Sequence, residues 1–305
     1  MALTEEQSDI AISRVRHESY FEMKKEHYHT YYEFYYLLSG SRKFFLNNKI
    51  YHVNSGDLVV IPKGEIHRTS FVSEGVHERI ALCFSDEAVS ALKNEIGEAA
   101  FRECFRDYRI SIPANRREYL EGLFDRLLAE AYLRDKEDDD GLSEALCRRY
   151  CEEIILFVIR CQRHAMSERA GGGEHTDISG RQGRMEQPDT EMESAALYMS
   201  RHYYENITLK KMADFCCMSE SHFSKRFRQQ TGFGFKEYLN EVRMRNACEL
   251  LANTCKSVTE IASLCGFMDS NYFGDAFKKK KGMSPRQYRK INSLFGIVYP
   301  LNPNL

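Results

Sequence analysis

The sequence predicts an α+β multidomain protein. An N-terminal β-barrel carries two long helices, and in the C-terminal all-α domain a helix joins two helix-turn-helix units. Three observations predict this architecture. Residues 21–84 contain short runs of Tyr, Phe, Val and Ile between turn signals, a pattern typical of antiparallel strands. In residues 85–165 apolar side chains recur every three or four positions, as in amphipathic helices. Residues 207–290 contain one short pattern twice, which indicates a repeated structural unit.

The length of 305 residues indicates two domains, because single domains rarely reach this size. We expect the β-rich domain over residues 1–165, a linker over 166–189, the helical domain over 190–292 and a tail over 293–305. The linker is predicted from its glycines and its few apolar side chains.

The cysteine content and the charge distribution indicate where the protein resides and what kind of partner it binds. Ten cysteines without a CxxC pair or a signal peptide indicate reduced thiols in the cytoplasm, and the apolar runs are too short to span a membrane. The net charge of −2 hides an asymmetry, since residues 191–291 hold 17 Lys and Arg against 11 Asp and Glu. The helical domain thus carries +6 and the rest −8, so the repeated half suits a partner with a phosphate backbone.

The β-rich part contains two spaced sets of residues. The pattern HxHx3Ex6G is filled by His27, His29, Glu33 and Gly40, and Gx5PxGx2H by Gly56, Pro62, Gly64 and His67. Because alternate residues of a strand share a face, we expect His27, His29 and Glu33 to point the same way. Tyr35 and Leu37 continue that face. Residues 1–20 are expected to be an arm or a first strand.

These two patterns resemble the two cupin motifs, which implies a cupin-like barrel, and three uses of the cluster stay open. Imidazoles and a carboxylate suit a divalent Fe, Mn, Ni or Zn ion, so His27, His29, Glu33 and His67 are candidate metal ligands. Alternatively, these residues and Tyr35 line an effector pocket that needs no cofactor. The third reading is a purely structural cluster.

Two amphipathic helices are predicted over residues 117–133 and 142–161. Their apolar stripes are Leu120, Leu123, Phe124, Leu127, Leu128 and Ala131 in the first, and Leu146, Tyr150, Ile154, Phe157, Val158 and Cys161 in the second. We expect both stripes to pack on the barrel.

Each copy of the repeated pattern is predicted to form a helix, a tight turn and a second helix. The expected capping residues are Thr208, Ser219 and Gly232 in the first copy and Ser257, Glu260, Asp269 and Gly282 in the second. Phe223 and Phe227 lie one turn apart, as do Phe273 and Phe277. Each second helix should bury its Phe pair and leave its N-terminal polar positions outward, which is the geometry of a helix that enters a major groove.

The two copies differ in the length of the turn. Ala213 recurs 49 residues later as Ala262, whereas Ser219 is matched 50 residues later by Asp269. The second copy therefore has one extra residue in its turn. A helix over residues 235–251 is expected to join the copies and to hold the two outward helices in successive major grooves.

The stretch IASLCGFMDSNYFGDAFKKKKGMSPRQYR resembles the signature of the AraC/XylS family of bacterial transcription regulators, and the resemblance covers residues 190–290. It implies sequence-specific binding to double-stranded promoter DNA, with activation as the expected direction, and contact with RNA polymerase. It also implies a small-molecule effector in the barrel, with a sugar or sugar derivative as the class, and a homodimer through one of the two long helices. No catalytic residue is expected.

The family pattern assigns the base-reading positions. In the first copy they are Ser221, Ser224 and Lys225, with His222 beside them, and in the second Ser270, Asn271, Gly274 and Asp275. Lysine can donate to guanine, and asparagine suits adenine. Asp275 stands where family members often have a basic residue. Phosphate contacts are expected from Arg226, Arg228 and the run Lys278 to Lys281, of which Lys278 and Lys279 are the main candidates.

Two other classes of function compete with a regulator. The first is a cupin enzyme, such as an isomerase or dioxygenase that uses His27, His29, Glu33 and His67, with the helical domain as an accessory. The second is a protein-interaction module. DNA affinity that falls steeply with salt distinguishes a regulator from both.

Overall fold

The computed structural model describes residues 9–17, 31–71, 76–136, 141–170 and 190–292. The chain divides into two compact units, Met1–Gln187 and Pro188–Leu305. The predicted tail, most of the predicted linker, and His27 and His29 lie outside the described residues.

The first unit is built on two antiparallel sheets. The described strands are β1 (Ile10–His17), β2 (Tyr32–Ser39), β3 (Ser41–Leu46), β4 (Lys49–Asn54), β5 (Asp57–Ile61), β6 (His67–Phe71), β7 (His77–Phe84) and β8 (Arg109–Ser111). One sheet has the order β1-β7-β2-β5-β8 and the other β4-β3-β6. The predicted β-rich fold of this half is confirmed, and the expected first strand is β1.

The turn between β3 and β4 and the short strand β8 each have a local explanation. Asn47 and Asn48 have φ of 49° and 60°, as a two-residue hairpin turn between β3 and β4 requires. Strand β8 was not predicted, since it lies in the region assigned to helices; it pairs with β5 through Arg109 and Val59. A three-residue strand is too short to show alternation.

Strand β2 separates two apolar layers. Tyr35 and Leu37 belong to a cluster with residues of β3, β4 and β5, on the side between the sheets. Phe34 and Tyr36, on the opposite face, pack into the larger core that includes the helices. The predicted alternation along β2 is therefore confirmed for the described residues.

The helices of the first unit are α1 (Ser90–Ile96), α2 (Glu98–Arg102), a short 3-10 turn (Glu103–Phe105), α3 (Ala114–Arg134) and α4 (Ser143–Ala170). The two long helices, α3 and α4, pack against each other and against β1. The stripe predicted for α3 is buried except for the half-buried Leu128.

Helix α4 departs from its prediction in two ways. Leu146 is 37% exposed, whereas Cys147 and Cys151 are fully buried, so the buried stripe begins one residue later than predicted. Small thiols fit where two helices approach closely. The helix also continues to Ala170, five residues into the predicted linker, because Met166 to Ala170 contains good helix formers and the first breaker is Gly171.

The second unit is all-helical over its described residues. Its helices are α5 (Thr190–Arg201), α6 (Leu209–Phe215), α7 (Glu220–Thr231), α8 (Phe235–Asn253), α9 (Val258–Leu264), α10 (Ser270–Lys281) and α11 (Pro285–Asn292). Helix α8 spans about 28 Å. Tyr238 near its start packs on Phe227, and Leu251 near its end lies in the core with Phe273 and Phe277. The predicted strut between two helix-turn-helix units is confirmed.

Candidate functional sites

The two predicted reader helices are α7 and α10, and each begins and ends as the sequence predicts. Ser219 Oγ accepts a hydrogen bond from the backbone N–H of His222, and the Asp269 carboxylate accepts one from the N–H of Asn271. Gly232 and Gly282 end the helices with φ of 79° and 74°. In each helix the Phe pair is fully buried. Burial of one face and capping at the N-terminus fix the outward face.

The outward face of α7 brings together the predicted readers of the first copy. Ser221, His222 and Lys225 are exposed, and Ser224 is half-buried. The Lys225 ammonium group therefore lies one helical turn beyond Ser221 and next to Ser224. It can donate hydrogen bonds to guanine O6 and N7.

The outward face of α10 has a different character. Asn271 and Asp275 are exposed and Ser270 is half-buried. A Cβ added at Gly274 would meet nothing within 4 Å, so this position lies open. The acidic Asp275 occupies the place of Lys225 in the first copy. The two reader helices are thus opposite in charge at this position.

Two exposed apolar residues of this face were missed by the sequence analysis. Tyr272 is 57% exposed and holds the place of His222 in the first copy, and Met268 is 94% exposed in the turn before α10. The extra residue in the second turn was the signal that could have found Met268.

The basic residues proposed for phosphate contact differ in their surroundings. Lys278 and Lys279 are exposed, as a phosphate contact requires. Arg226 donates to Glu191 at 2.6 Å and Arg228 to Glu237 at 3.3 Å, so both guanidinium groups already have an acidic neighbour in the free protein.

The last two lysines of the run have contacts or burial within the helical domain itself. Lys280 forms an ion pair with Glu241 of α8, a carboxylate whose side chain is 4% exposed. Lys281 is half-buried, and burial lowers the pKa of its ammonium group to about 8. Four consecutive residues of a helix face all sides of it, so a run of lysines cannot face one partner.

The side of β2 between the sheets holds the residues predicted to bind an effector. Glu33 Oε2 lies 3.4 Å from His67 Nε2, and both side chains are almost fully buried. The Nδ1 atom of His67 lies 3.0 Å from the carbonyl oxygen of Glu65, which orients the ring. The structure thus brings two members of the predicted cluster together across the two sheets.

Further along the same face, Tyr35 adds an aromatic ring and a hydroxyl group. The Arg79 guanidinium lies 5.4 Å from the centre of the Tyr35 ring, and Arg42 Nη2 lies 2.9 Å from His77 Nε2. Burial raises the pKa of Tyr35, so the phenol stays protonated and can donate a hydrogen bond. Acceptors at Glu33 and donors at Tyr35 and Arg42 suit a ligand with several hydroxyl groups.

The metal interpretation has only part of its predicted ligand set in view. Glu33 and His67 lie close enough to bind one ion, while His27 and His29 lie outside the described residues. Over the ranges that the structure describes, no group of three His, Cys, Asp or Glu side chains could hold a metal ion. The metal site, the metal-free pocket and the purely structural cluster therefore all stay open.

A separate cleft of about 680 Å³ lies on the other face of β2. Its floor includes Tyr32 and its rim includes Lys63, Lys93 and Asp86. Burial acts to raise the pKa of Asp86, but hydrogen bonds from Lys63 and Lys93 outweigh it and lower that pKa to about 2. The two lysines share this one carboxylate, which leaves the three groups with a net charge of +1.

Comparison with known proteins assigns the chain to a protein family. The model of an AraC-like ligand binding domain matches residues 12–149, and that of a helix-turn-helix domain matches residues 212–291. A ligand-binding domain ahead of two helix-turn-helix units defines a DNA-binding transcription regulator. The chain belongs to the AraC family of such regulators.

The relatives are transcription regulators. HTH-type transcriptional activator RhaR from Mannheimia succiniciproducens is 26% identical over 290 residues, which cover 93% of this chain and 92% of the relative. An uncharacterized HTH-type transcriptional regulator from Staphylococcus aureus is 22% identical over 255 residues, 83% of this chain, but the chain spans only 31% of that protein's length. The C-terminal domain of AraT, a response regulator from Geobacillus stearothermophilus, is 31% identical over 38% of this chain and 93% of its own, with a TM-score of 0.34. Among the helices that the structure describes, none is long and apolar enough to cross a membrane.

Proposed function

We propose that the chain is an effector-responsive transcription activator. It binds promoter DNA through α7 and α10 as a homodimer and acts on RNA polymerase. The observation that carries this proposal is the pair of capped helices whose Phe pairs are buried and whose first turns are exposed. Helices presented in this way fit the major groove, and α8 is long enough to space them for successive grooves.

The DNA-binding part of the proposal is tested by titrating the full chain with duplex DNA at several salt concentrations. Neutralised phosphates release counterions, so the logarithm of the affinity should fall linearly with the logarithm of the salt concentration. With four to six phosphates contacted per protomer, a bound dimer contacts about eight to twelve, and we expect a slope of about −7 to −11. A protein-interaction module or an accessory domain of an enzyme would show weak binding without this slope.

The effector pocket is proposed to lie between the sheets, around Glu33, Tyr35 and His67. The observation that supports it is the group of buried polar side chains on a face that is otherwise apolar. A small polyhydroxylated molecule, with a sugar or sugar derivative as the class, suits the mixture of carboxylate, phenol and guanidinium groups. His27 and His29 are proposed to belong to the same pocket from the sequence alone.

A test of the pocket compares Glu33→Gln with wild type in a panel of sugars and sugar phosphates, read out by thermal shift and by DNA affinity. The change removes the charge and keeps the size, so ligand response should be lost while DNA binding without ligand is unchanged. Elemental analysis of the same preparations decides between the alternatives, because a metal site should carry near-stoichiometric metal that Glu33→Gln reduces. Full ligand response in Glu33→Gln would contradict this location.

The dimer is proposed to form through α3 and α4. These helices expose the large apolar residues Tyr119, Tyr132, Leu133, Leu146 and Leu156, and Leu142, directly before α4, is exposed as well. Apolar surface of this extent on two neighbouring helices favours a second copy of the chain as its cover. Leu133→Asp combined with Leu142→Asp should convert the dimer to monomer in light scattering at tens of micromolar. Leu197→Asp, an exposed leucine of the other unit, is the control that should leave the mass unchanged.

A further inference from the structure

The structure identifies the extra residue of the second turn as Met268. The N–H of Met218 donates to the carbonyl of Ala213 at 2.9 Å, and the N–H of Phe267 donates to the carbonyl of Ala262 at the same distance. Met218 and Phe267 therefore hold equivalent places, and Met268 is inserted between Phe267 and the N-cap of α10. The insertion pushes the Met268 side chain outward, where it is 94% exposed.

Tyr272 lies four residues beyond Met268, in the first turn of α10 and directly after Asn271. The Tyr272 ring is 57% exposed, with its centre 6.5 Å from that of Phe267. Its hydroxyl group has no hydrogen-bond partner among the residues that the structure describes. The N-terminal end of α10 and the turn before it thus expose a thioether, an amide and a phenol, whereas the first residues of α7 expose Ser221 and His222.

The bases of DNA offer few partners for exposed apolar groups. In the major groove the apolar group on a base edge is the C5-methyl of thymine, while guanine, cytosine and adenine present only donors and acceptors. A flexible methionine adapts its shape to a neighbouring methyl group, and a tyrosine ring covers one at small entropic cost. The exposed side chains of Met268, Asn271 and Tyr272 therefore suit A·T base pairs.

We propose that Met268 and Tyr272 are specificity-determining residues of α10 that contact thymine methyl groups. The second helix-turn-helix unit then selects A·T pairs by apolar contact, with Asn271 reading adenine between the two methyl contacts. The first unit selects through the polar and cationic groups of α7. This inference rests on the proposed DNA binding by α7 and α10, and it assigns the base preference of one half of the site.

The test removes only the methyl groups from the DNA. The full chain first selects its preferred duplexes from a random library, and the preferred duplex is then made with deoxyuridine in place of thymidine, one position at a time. Deoxyuridine keeps every hydrogen-bonding group of thymidine. Burial of one methyl group corresponds to a factor of about four in affinity, so we expect a three- to fivefold loss at each of one or two positions in the half-site of α10.

Variants connect these positions to the two residues. Met268→Ser and Tyr272→Ser should each lower affinity for the thymidine duplex about fivefold and bind the deoxyuridine duplex as wild type does. Met268→Leu should retain most of the discrimination. Leu197→Ser, an exposed apolar residue of α5, should change neither value. Circular dichroism confirms that each variant is folded, as expected for changes at exposed side chains.

The outcomes separate this inference from the function on which it rests. A chain that enriches no sequence from the library contradicts sequence-specific DNA binding, and the inference falls with it. A chain that enriches a sequence but binds every deoxyuridine duplex as tightly as the thymidine duplex contradicts the methyl contact alone. Equal discrimination in wild type and in both serine variants would show that other residues contact the methyl groups, and would also overturn the assignment.

Discussion

Cys217 and Gly266 hold the same place in the two helix-turn-helix turns, and both have a left-handed backbone, with φ of 53° and 79°. Only glycine adopts this conformation without a steric penalty, because a Cβ crowds the following carbonyl group. The first turn therefore carries backbone strain that the second turn avoids. The shared geometry also shows that the turn itself, and not the residue type, is dictated by the packing of α6 on α7 and of α9 on α10.

Replacing Cys217 with glycine should stabilise the second unit. Relief of about 1–2 kcal/mol of left-handed strain outweighs the roughly 0.5–1 kcal/mol that glycine adds to the entropy of the unfolded chain. We expect a net gain of about 0.5–1 kcal/mol in the free energy of unfolding, measured by urea denaturation of the full chain. An unchanged or lower midpoint for the transition of this unit would contradict the strain.

The matched control is Gly266→Ala. An added Cβ would lie 2.7 Å from the carbonyl oxygen of Tyr203 and 3.0 Å from that of Tyr204, so the backbone must shift. Together with the left-handed strain, this change should destabilise the unit by about 2 kcal/mol or more. The two substitutions at equivalent positions should thus have opposite signs.

Much of this architecture follows from local rules that the sequence displays. Ser219, Asp269 and Gly282 were assigned as caps from residue type and spacing, and each makes the expected contact because capping involves only neighbours in the chain. The alternation of Tyr35 and Phe34 on β2 is local in the same sense.

The features that were not predicted from the sequence depend on contacts between residues far apart in the chain. Lys280 looks like its three neighbours in the sequence, and only the packing of α10 on α8 places it against Glu241. Cys147 replaces Leu146 in the buried stripe because the rotation of α4 is set by its partners. The meeting of Glu33 with His67, by contrast, was predicted from the spacing of the two motifs, although it depends on the packing of the two sheets.

The run Lys278 to Lys281 offers a test of the difference between an exposed lysine and one paired within the protein. Glu241 is buried, so loss of its partner in Lys280→Met should leave a poorly compensated charge and lower the free energy of unfolding by about 1–3 kcal/mol. Lys279→Met should leave stability within about 0.5 kcal/mol, since the side chain is exposed. Denaturation curves and salt-dependent DNA titrations of both variants provide the comparison. We expect the salt slope to fall by about one per protomer for Lys279→Met and to stay constant for Lys280→Met. The reverse result would mean that Lys280 leaves Glu241 to contact phosphate.

Asp86, in the cleft beside β2, should make the free energy of unfolding depend on pH in the acidic range. The pKa of Asp86 is lowered from 3.8 to about 2 in the folded chain, so its ionised form stabilises the fold at all pH values above about 4. That contribution should disappear as the pH falls from about 4 towards 2. Because the Asp86 side chain is 38% exposed and solvent screens the pair, we expect about 1 kcal/mol rather than the full linkage value.

The corresponding measurement is the difference in unfolding free energy between wild type and Asp86→Asn. The difference should be constant from pH 7 to about 4.5 and should shrink steadily below that range. A difference that stays constant down to pH 2.5 would show that the amide disturbs packing rather than removing a charge interaction with Lys63 and Lys93.

The two reader helices should contribute unequally to DNA affinity. Lys225 offers a charged donor from the exposed face of α7, so Lys225→Ala should cost about 1–3 kcal/mol and relax the preference at about one base pair. Asp275 holds the equivalent place on α10 and is repelled by phosphate. Asp275→Ala should therefore leave affinity equal or raise it, while specificity falls because a carboxylate rejects most base edges. Asn271→Ala should cost less than Lys225→Ala, because an uncharged amide gains less from the groove.

The decisive measurement titrates these three variants of the full chain on the selected duplex and on random DNA at one fixed salt concentration. The ratio of the two affinities isolates base reading from phosphate attraction, since phosphate contacts contribute equally to both duplexes. Lys225→Ala should lower this ratio through the selected duplex, whereas Asp275→Ala should lower it through tighter binding to random DNA. Loss of all binding to the selected duplex in Asp275→Ala, with Lys225→Ala unaffected, would mean that α10 and not α7 is the dominant reader. The carboxylate would then have to accept a hydrogen bond from a base amino group in the major groove, such as cytosine N4, to offset its repulsion from the phosphate backbone.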